Sequence, residues 1–408
     1  MIENAKSILS FFTSKIPPVI IGAERINFII ENIDKLPNEQ KLQVIKLANY
    51  IFTYMIEHQA SDIEIGGMAT NGFAWLRIHG KKEKAKELPV LNNDEWAVLI
   101  VSLLSQNQLK LLIEKRNLDF SYTFFYEKHQ KYVRFRADAY YDLDTLTLNM
   151  RAIASNIRSL ESLEFHPLAI KQMSHGFIKF GLSLVTGITG SGKSTTLDAI
   201  IDYHNKFDPC HIVIIAAPIE YVHTSNYAII KHREVGRDVL SFKEGVIQSL
   251  RQDPDIIVIG EMRDPDTIMA ALEVTDTGHK VFSTLHTSSA VESLDRIIAE
   301  VDTGEQERVR NRLADVLVSV VSQKLVPSTD GRRVLAKEVL ISTPSIRAAI
   351  KSNNTSEIYG MINQGKDAGM VTMEQDLLRL YQERRITAEN TIAYSNNKIR
   401  MMQLMKGI

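Results

Sequence analysis

The 408-residue sequence predicts an α/β fold: a domain built on a parallel sheet, preceded by an α+β domain and a helical N-terminal extension. Three observations predict it. After about residue 169, short apolar runs alternate with helix-length segments, the rhythm of βαβ units whose sheet is covered on both faces. Between Ser61 and Ser155, apolar residues alternate singly, as in antiparallel strands. Before that, Ile26, Ile29, Ile30, Ile33 and Leu36, then Leu42, Ile45, Leu47 and Ile51, recur near helical spacing.

The elements justify these divisions in turn. Residues 1–55 read as a helical extension interrupted at Pro17-Pro18. Residues 56–155 read as the α+β domain. Alternation marks strands at Asp62–Ile65, Phe73–Ile78, Asp119–Thr123, Tyr132–Tyr140 and Leu146–Ile153, and Glu95–Leu112 is helix-like. Residues 156–168, with Asn156, Arg158, Ser159, Ser162 and His166-Pro167, read as a linker able to act as a hinge. In residues 169–343 the strands expected are Leu182–Thr186, His211–Ile215, Asp255–Ile259 and Lys280–Leu285. Helices are expected at Lys193–His204, Phe242–Arg251, Pro265–Thr275 and Ala290–Ala299. Residues 344–408 read as a polar helical region.

Composition narrows the function classes. With 48 basic and 49 acidic residues, no global field recruits nucleic acid or an anionic membrane. The sequence lacks an evident aromatic-basic groove, which argues against a nucleic-acid motor. One cysteine, Cys210, excludes a disulfide framework and a cysteine-rich zinc site, and reads as a buried thiol. No apolar run reaches the roughly 18–20 residues of a membrane span. The expectation is a cytoplasmic protein with no direct membrane insertion.

The chemistry begins at Gly187-Ile188-Thr189-Gly190-Ser191-Gly192-Lys193-Ser194, which fits G-x-x-x-x-G-K-[ST] between a strand and a helix. Glycines there allow backbone torsions that turn successive N–H groups toward phosphate oxygens. The helix beginning near Lys193 aims its positive end at the same anion. This makes Gly187, Thr189, Gly190, Ser191, Gly192, Lys193, Ser194 and Thr195 the candidate ATP-binding residues. Lys193 is placed to reach the β- and γ-phosphates, and Ser194 to ligate Mg2+.

A second element, Asp253 to Glu261, is an apolar strand ending in a carboxylate. The usual strand-end Asp is replaced by Gly260, so Glu261 is the candidate general base. Third, His286 ends the strand Lys280–Leu285 and is placed to sense a γ-phosphate; a hydrogen-bonded structural histidine is the alternative. Fourth is a set of arginines: Arg233, Arg237, Arg251 and Arg263 near the site, with Arg134 and Arg136 sharing a strand face in the first domain. Asn205-Lys206-Phe207-Asp208 matches a guanine-recognition pattern but follows the loop helix too closely to reach a base. It reads as a helix C-terminus, and a GTPase is rejected.

Taken together these elements resemble the secretion and pilus motor ATPases, most closely the PilT-like type IV pilus retraction ATPases. Matching stretches run in order over about residues 55–395. They include Ala60–Ile63, Arg134–Arg136, Gly187–Thr196, Pro218–His223, Arg233–Asp238, Gly260–Asp264, Thr284–Thr287, Thr343–Arg347 and Gly369–Met373. The resemblance implies a PAS-like N-terminal domain, a RecA-like ATPase domain and a homo-hexamer acting on an inner-membrane pilus platform protein. The enzyme would lie at the inner membrane through that partner. ATP would sit between the two domains, with Arg134 and Arg136 contributed by the first. A single cysteine argues against the extension and type II secretion members, which carry a four-cysteine metal site. A related secretion traffic ATPase remains a close alternative.

Two departures stand out. About 50 residues precede the resemblance, and the family's acidic box Glu-Asp-Pro-Ile-Glu reads Ala216-Ala217-Pro218-Ile219-Glu220 here. Two carboxylates are missing, and Glu220 remains. The expectation is ATP binding with slowed hydrolysis, or at the extreme an ATP-binding scaffold.

Overall fold

Many helices of this chain start where a side chain takes over the unpaired N–H groups of the first turn. Asn92 and Ser105 each close a capping box, with Glu95 and Gln108 respectively. The box at Ser105 explains why the helix-like stretch from Glu95 to Leu112 is two helices: the second cap restarts the chain after Val101. The computed structural model describes residues 2–78, 80–153 and 157–406. It divides into two compact units, Met1–Ser155 with Ala217–Tyr221, and Asn156–Ala216 with Val222–Ile408. The boundary expected at 155/156, and the first residue of the expected linker, lie outside the described residues.

In chain order the first unit contains α1 (Ile2–Thr13), α2 (Gly22–Asn32), α3 (Asn38–Glu57), β1 (Asp62–Gly66), β2 (Trp75–Ile78), β3 (Lys81–Lys84), α4 (Asn93–Val101), α5 (Gln106–Lys115), β4 (Asn117–Tyr126), β5 (Lys131–Asp142) and β6 (Thr145–Ala152). The strands form one antiparallel sheet in the order β3-β2-β1-β6-β5-β4. Its buried residues form a single apolar cluster with those of the helices. Trp96 is fully buried and its indole N–H donates to Gly72 O at 3.1 Å. Phe52 of α3 packs on Phe135 of β5 with ring centroids 5.5 Å apart. Leu9, Ile29, Leu47, Ile51 and Met55 belong to the same cluster, so the first 55 residues share the core of the sheet. Arg25 of α2 and Asp94 of α4 add a bidentate pair at 2.7 Å.

The second unit contains α6 (Pro167–Met173), β7 (Gly181–Thr186), α7 (Lys193–Phe207), β8 (His211–Ala216), β9 (Ile229–Glu234), α8 (Phe242–Ser249), β10 (Ile256–Ile259), α9 (Pro265–Asp276), β11 (Lys280–Leu285), α10 (Ala290–Ala299), α11 (Gln306–Val316), β12 (Leu317–Pro327), β13 (Arg333–Ile341) and five further helices, α12 (Pro344–Lys351), α13 (Ile358–Gln364), α14 (Met373–Gln382), α15 (Ala388–Tyr394) and α16 (Lys398–Lys406). The sheet order is β13-β12-β7-β11-β10-β8-β9. Every pairing is parallel except β12 with β13. The sequence reading did not locate β9, β12 or β13. β9 reads Ile-Ile-Lys-His-Arg-Glu, a half-polar edge strand, and β12 follows α11 with no turn between them. The central strands β7, β10 and β11 are buried at every position, as a sheet covered on both faces requires. Among the described residues no helix is long and apolar enough to cross a membrane.

Two buried groups test the physical reading of this unit. Cys210 is buried, and burial pushes its thiol up to about 12, as expected for an inert structural cysteine. Lys280, at the start of β11, is fully buried; its ammonium donates to Ile178 O at 2.9 Å, with Gln172 O and Ser174 O each at 3.4 Å. Burial pulls its pKa down to about 7, against an opposing attraction from Asp208. A depressed folded-state value means that the unfolded chain holds the proton across the interval from about 7 up to 10.5, so stability rises with pH there. Lys280→Met should be the more stable protein at pH 7.5, on the order of 2 kcal/mol. That advantage should shrink as denaturation midpoints are followed toward pH 10. A difference between the two proteins that ignores pH would show that Lys280 is not buried as a charge.

Candidate functional site

The loop between β7 and α7 is built by close backbone approach. Gly187 has φ +150°, and a Cβ there would sit 2.4 Å from Ser191 Oγ and 2.5 Å from Gln323 O. Only glycine fits that gap. Gly190 and Gly192 have φ of +79° and +90°, so the loop turns twice through the left-handed region before the helix starts. Gln323 of β12 is buried and its amide donates to Ser191 O at 2.8 Å, fixing the loop to the neighbouring strand. The Ser191 hydroxyl is buried with no hydrogen-bond partner among the described residues. A cradle that a Cβ would fill, with an orphaned hydroxyl in its wall, fits the terminal phosphates of a nucleotide.

Lys193 opens α7, and its ammonium donates to Gly187 O at 2.7 Å and Ile188 O at 3.2 Å, lying back across the loop. Ser194 is half-buried in the first turn of α7. No group of three or more His, Cys, Asp or Glu side chains among the described residues could hold a metal by itself. The Ser194 hydroxyl is the candidate ligand for a magnesium ion that accompanies the phosphates. Beside the loop lies a cleft of about 690 Å³. Thr195 and Thr196 of α7, Leu325 of β12, Val334 of β13, Arg158 and Arg385 are among the residues lining it. Its size is that of small-molecule sites in general.

Glu261 follows β10 after Gly260, with its side chain 16% exposed. Arg263 Nε donates to its Oε2 at 2.7 Å, and His286 Nε2 lies 3.8 Å from the same oxygen. Burial lowers the His286 pKa, the nearby Lys193 ammonium lowers it further, and Glu261 opposes both. His286 is thus neutral above its depressed pKa, in electrostatic reach of the loop lysine.

The substitution of Gly260 for a strand-end Asp has a steric cause. A Cβ at 260 would meet the Ala216 Cβ at 2.9 Å and its Cα at 3.1 Å. The Gly260 N–H donates to Ile215 O at 2.7 Å, so the backbones cannot part without losing that bond. The first carboxylate after β10 is that of Glu261.

The structure divides the remaining candidates. Arg134, Arg136 and Glu220 come together in the first unit, the last through the segment Ala217–Tyr221. There Arg134 donates to Ile219 O and to Ser121 Oγ, both at 2.7 Å, and Arg136 lies 4.0 Å from Glu220 and 3.8 Å from Asp119. The loop, Glu261 and His286 come together in the second unit. Of the other arginines singled out, Arg263 meets Glu261, whereas Arg233 donates to Gln248 Oε1 at 2.8 Å. Asn205 and Asp208 serve the end of α7: Asn205 donates to Thr224 O and Asp208 pairs with His204. Gln323 was missed, because its strand carries no motif and its role exists only through its neighbour.

The gap at Gly187 yields a direct test. Gly187→Ala should weaken nucleotide binding at least about tenfold, since the loop must open to admit the methyl group. Titration with a fluorescent nucleotide reads this, and unchanged affinity would mean that the phosphates do not lie in this loop.

Residues 38–405 match the family described as "Type II/IV secretion system protein". The chain is 38% identical to a "Twitching motility protein" of Neisseria gonorrhoeae, over 77% of this chain and 82% of that one. It is also 38% identical to the "Type IV pilus retractation ATPase PilT" of Pseudomonas aeruginosa, over 77% and 89%. The crystal structure of "the Pilus Retraction Motor PilT and Bound ADP" superimposes with a TM-score of 0.77 at 35% identity, covering 86% of this chain and 98% of that one. A family match spanning residues 38–405, together with relatives 38% identical over 77% of the chain, places this chain in the type II/IV secretion system protein family.

Proposed function

We propose that this chain is an ATPase of the type IV pilus retraction type: a homo-hexameric motor that couples ATP binding and hydrolysis to movement of an inner-membrane platform protein. The observation that carries the reading is the convergence of the loop at Gly187–Ser194, the carboxylate of Glu261 and the imidazole of His286 at the carboxyl ends of adjacent strands. Support comes from the twitching motility protein and the pilus retraction ATPase to which the chain is 38% identical, and from the solved motor that holds ADP. A ring of six and the platform partner follow the family resemblance.

In this reading the loop N–H groups and Lys193 hold the terminal phosphates, and Lys193 leaves its loop carbonyls to do so. Glu261 takes the proton of the attacking water. His286, kept neutral, can donate a hydrogen bond toward the γ-phosphate without adding a full charge. Magnesium on Ser194, when bound, would neutralise phosphate charge. Arg134, Arg136 and Glu220 are proposed to act from the first unit. Lys193→Ala should lower magnesium-dependent ATPase activity by about 10²-fold or more. The wild-type gene, but not this variant, should restore twitching to a bacterium lacking its own retraction ATPase. Active enzyme that restores no motility would favour a secretion traffic ATPase.

The second reading, a scaffold that binds ATP and barely turns it over, is favoured by Ala216-Ala217. Ala216 ends β8 half-buried and Ala217 is exposed. The double variant Ala216→Glu, Ala217→Asp should raise kcat by about tenfold or more if carboxylates are what turnover lacks. An unchanged kcat in a folded double variant would favour the scaffold.

A further inference from the structure

Glu261 and Arg263 flank a residue whose position is fixed. Met262 between them is buried, and its N–H donates to Thr284 O at 3.1 Å. On one side, Gly260 N–H donates to Ile215 O at 2.7 Å and Gly260 O accepts from Thr284 Oγ1 at 2.6 Å. On the other, Asp264 caps α9, accepting from both the N–H and the hydroxyl of Thr267 at 2.8 Å. The backbone from 260 to 264 is thus pinned at both ends and in the middle, and conformational freedom resides in the side chains. That freedom is unequal. The Arg263 side chain is 70% exposed, whereas the carboxylate it holds is 16% exposed.

The contact they make is chemically consequential. Arg263 Nε donates to Glu261 Oε2 at 2.7 Å, and His286 stands 3.8 Å from the same oxygen. An oxygen lone pair already accepting a guanidinium N–H is not open to the proton of an attacking water. A base in that state must be released before it can act. The exposed guanidinium is the partner able to move, and it binds phosphate at least as well as carboxylate.

We propose that Arg263 is a latch that reads the terminal phosphate: it holds Glu261 while no triphosphate is present, and passes to the γ-phosphate when one binds. This rests on the reading of Glu261 as the base of an ATP site. No bond is made or broken in the exchange; one guanidinium trades a carboxylate for a phosphate. Release frees Glu261 to face water only when a γ-phosphate is there to be attacked. A diphosphate offers no oxygen in that place, so the latch stays closed and Glu261 stays held after phosphate leaves. Arg263 thereby acts as a positioning residue for Glu261 and as a determinant of triphosphate over diphosphate.

Equilibrium binding of ADP and of a non-hydrolysable ATP analogue to the full chain tests this, with Arg263→Ala, Arg263→Lys and Lys193→Ala compared with wild type. Thermal unfolding of each variant confirms that it is folded. Arg263→Ala should weaken the ATP analogue by about tenfold or more while moving ADP by less than about twofold. Arg263→Lys keeps the charge but loses the fork, and should recover part of the loss. Equal weakening of both nucleotides, or no change in either, would overturn the proposal and make the pair a fixed structural contact. A wild-type chain that binds neither nucleotide, or a Lys193→Ala chain that binds both as wild type does, would instead overturn the ATP-site reading and the latch with it. The two failures give different patterns.

Discussion

The gap between Ser191 and Gln323 that Gly187 occupies is the constraint on which the second unit turns. The loop can present its N–H groups to an anion because its first residue has no side chain to hold the chain away from β12. The same approach lets Gln323 donate to Ser191 O, so the loop is anchored by a residue 132 positions later in sequence. β12 pairs with β13, and Glu338 of β13 is fully buried, accepting from the N–H of Ala290 at 2.8 Å. Ala290 begins α10, the helix that follows His286 and Thr287. Two sides of the candidate site are therefore tied to the same hairpin, one through the loop and one through α10. The hairpin is in turn held to α14 by Lys337 and Asp376, a buried pair 3.6 Å apart.

Small residues set the chemistry at the neighbouring strand ends. Ala216 and Gly260 lie too close for two ordinary side chains, and the backbone bond from Gly260 to Ile215 keeps them so. A carboxylate at 260 is sterically refused, and one at 216 would start from a half-buried position beside that contact. The acid that remains is Glu261, carried on a segment whose backbone is fixed by Met262 and the Asp264 cap. Three side chains, Glu261, Arg263 and His286, meet there at a single carboxylate oxygen.

The first unit shows how a helical extension joins a fold. The N-terminal helices present apolar residues at helical spacing, and those faces merge with the core of the antiparallel sheet around Phe52, Trp96 and Phe135. Isolated helices of those lengths would be marginal in water, and burial against the sheet is what stabilises them. On the same unit, Arg134 and Arg136 share a strand face as their spacing requires, and both engage the 217–221 segment.

Much of this was legible in the sequence because the signals are local. The loop glycines, the apolar strands β7, β8, β10 and β11, the helix starts at Lys193 and Pro265, and the carboxylate after β10 each depend on residues a few positions apart. Spacing along one chain segment is enough to specify them. Three things depended on the tertiary structure, because each is a distance between segments remote in sequence. The strand pairing that brings Gln323 to the loop is one. The contact of Ala216 with Gly260, which gives the missing strand-end Asp its physical reason, is another. The last is the trio at Glu261 Oε2: residues 261 and 263 could be read as neighbours, but only the parallel pairing of β10 with β11 brings His286 to the same oxygen.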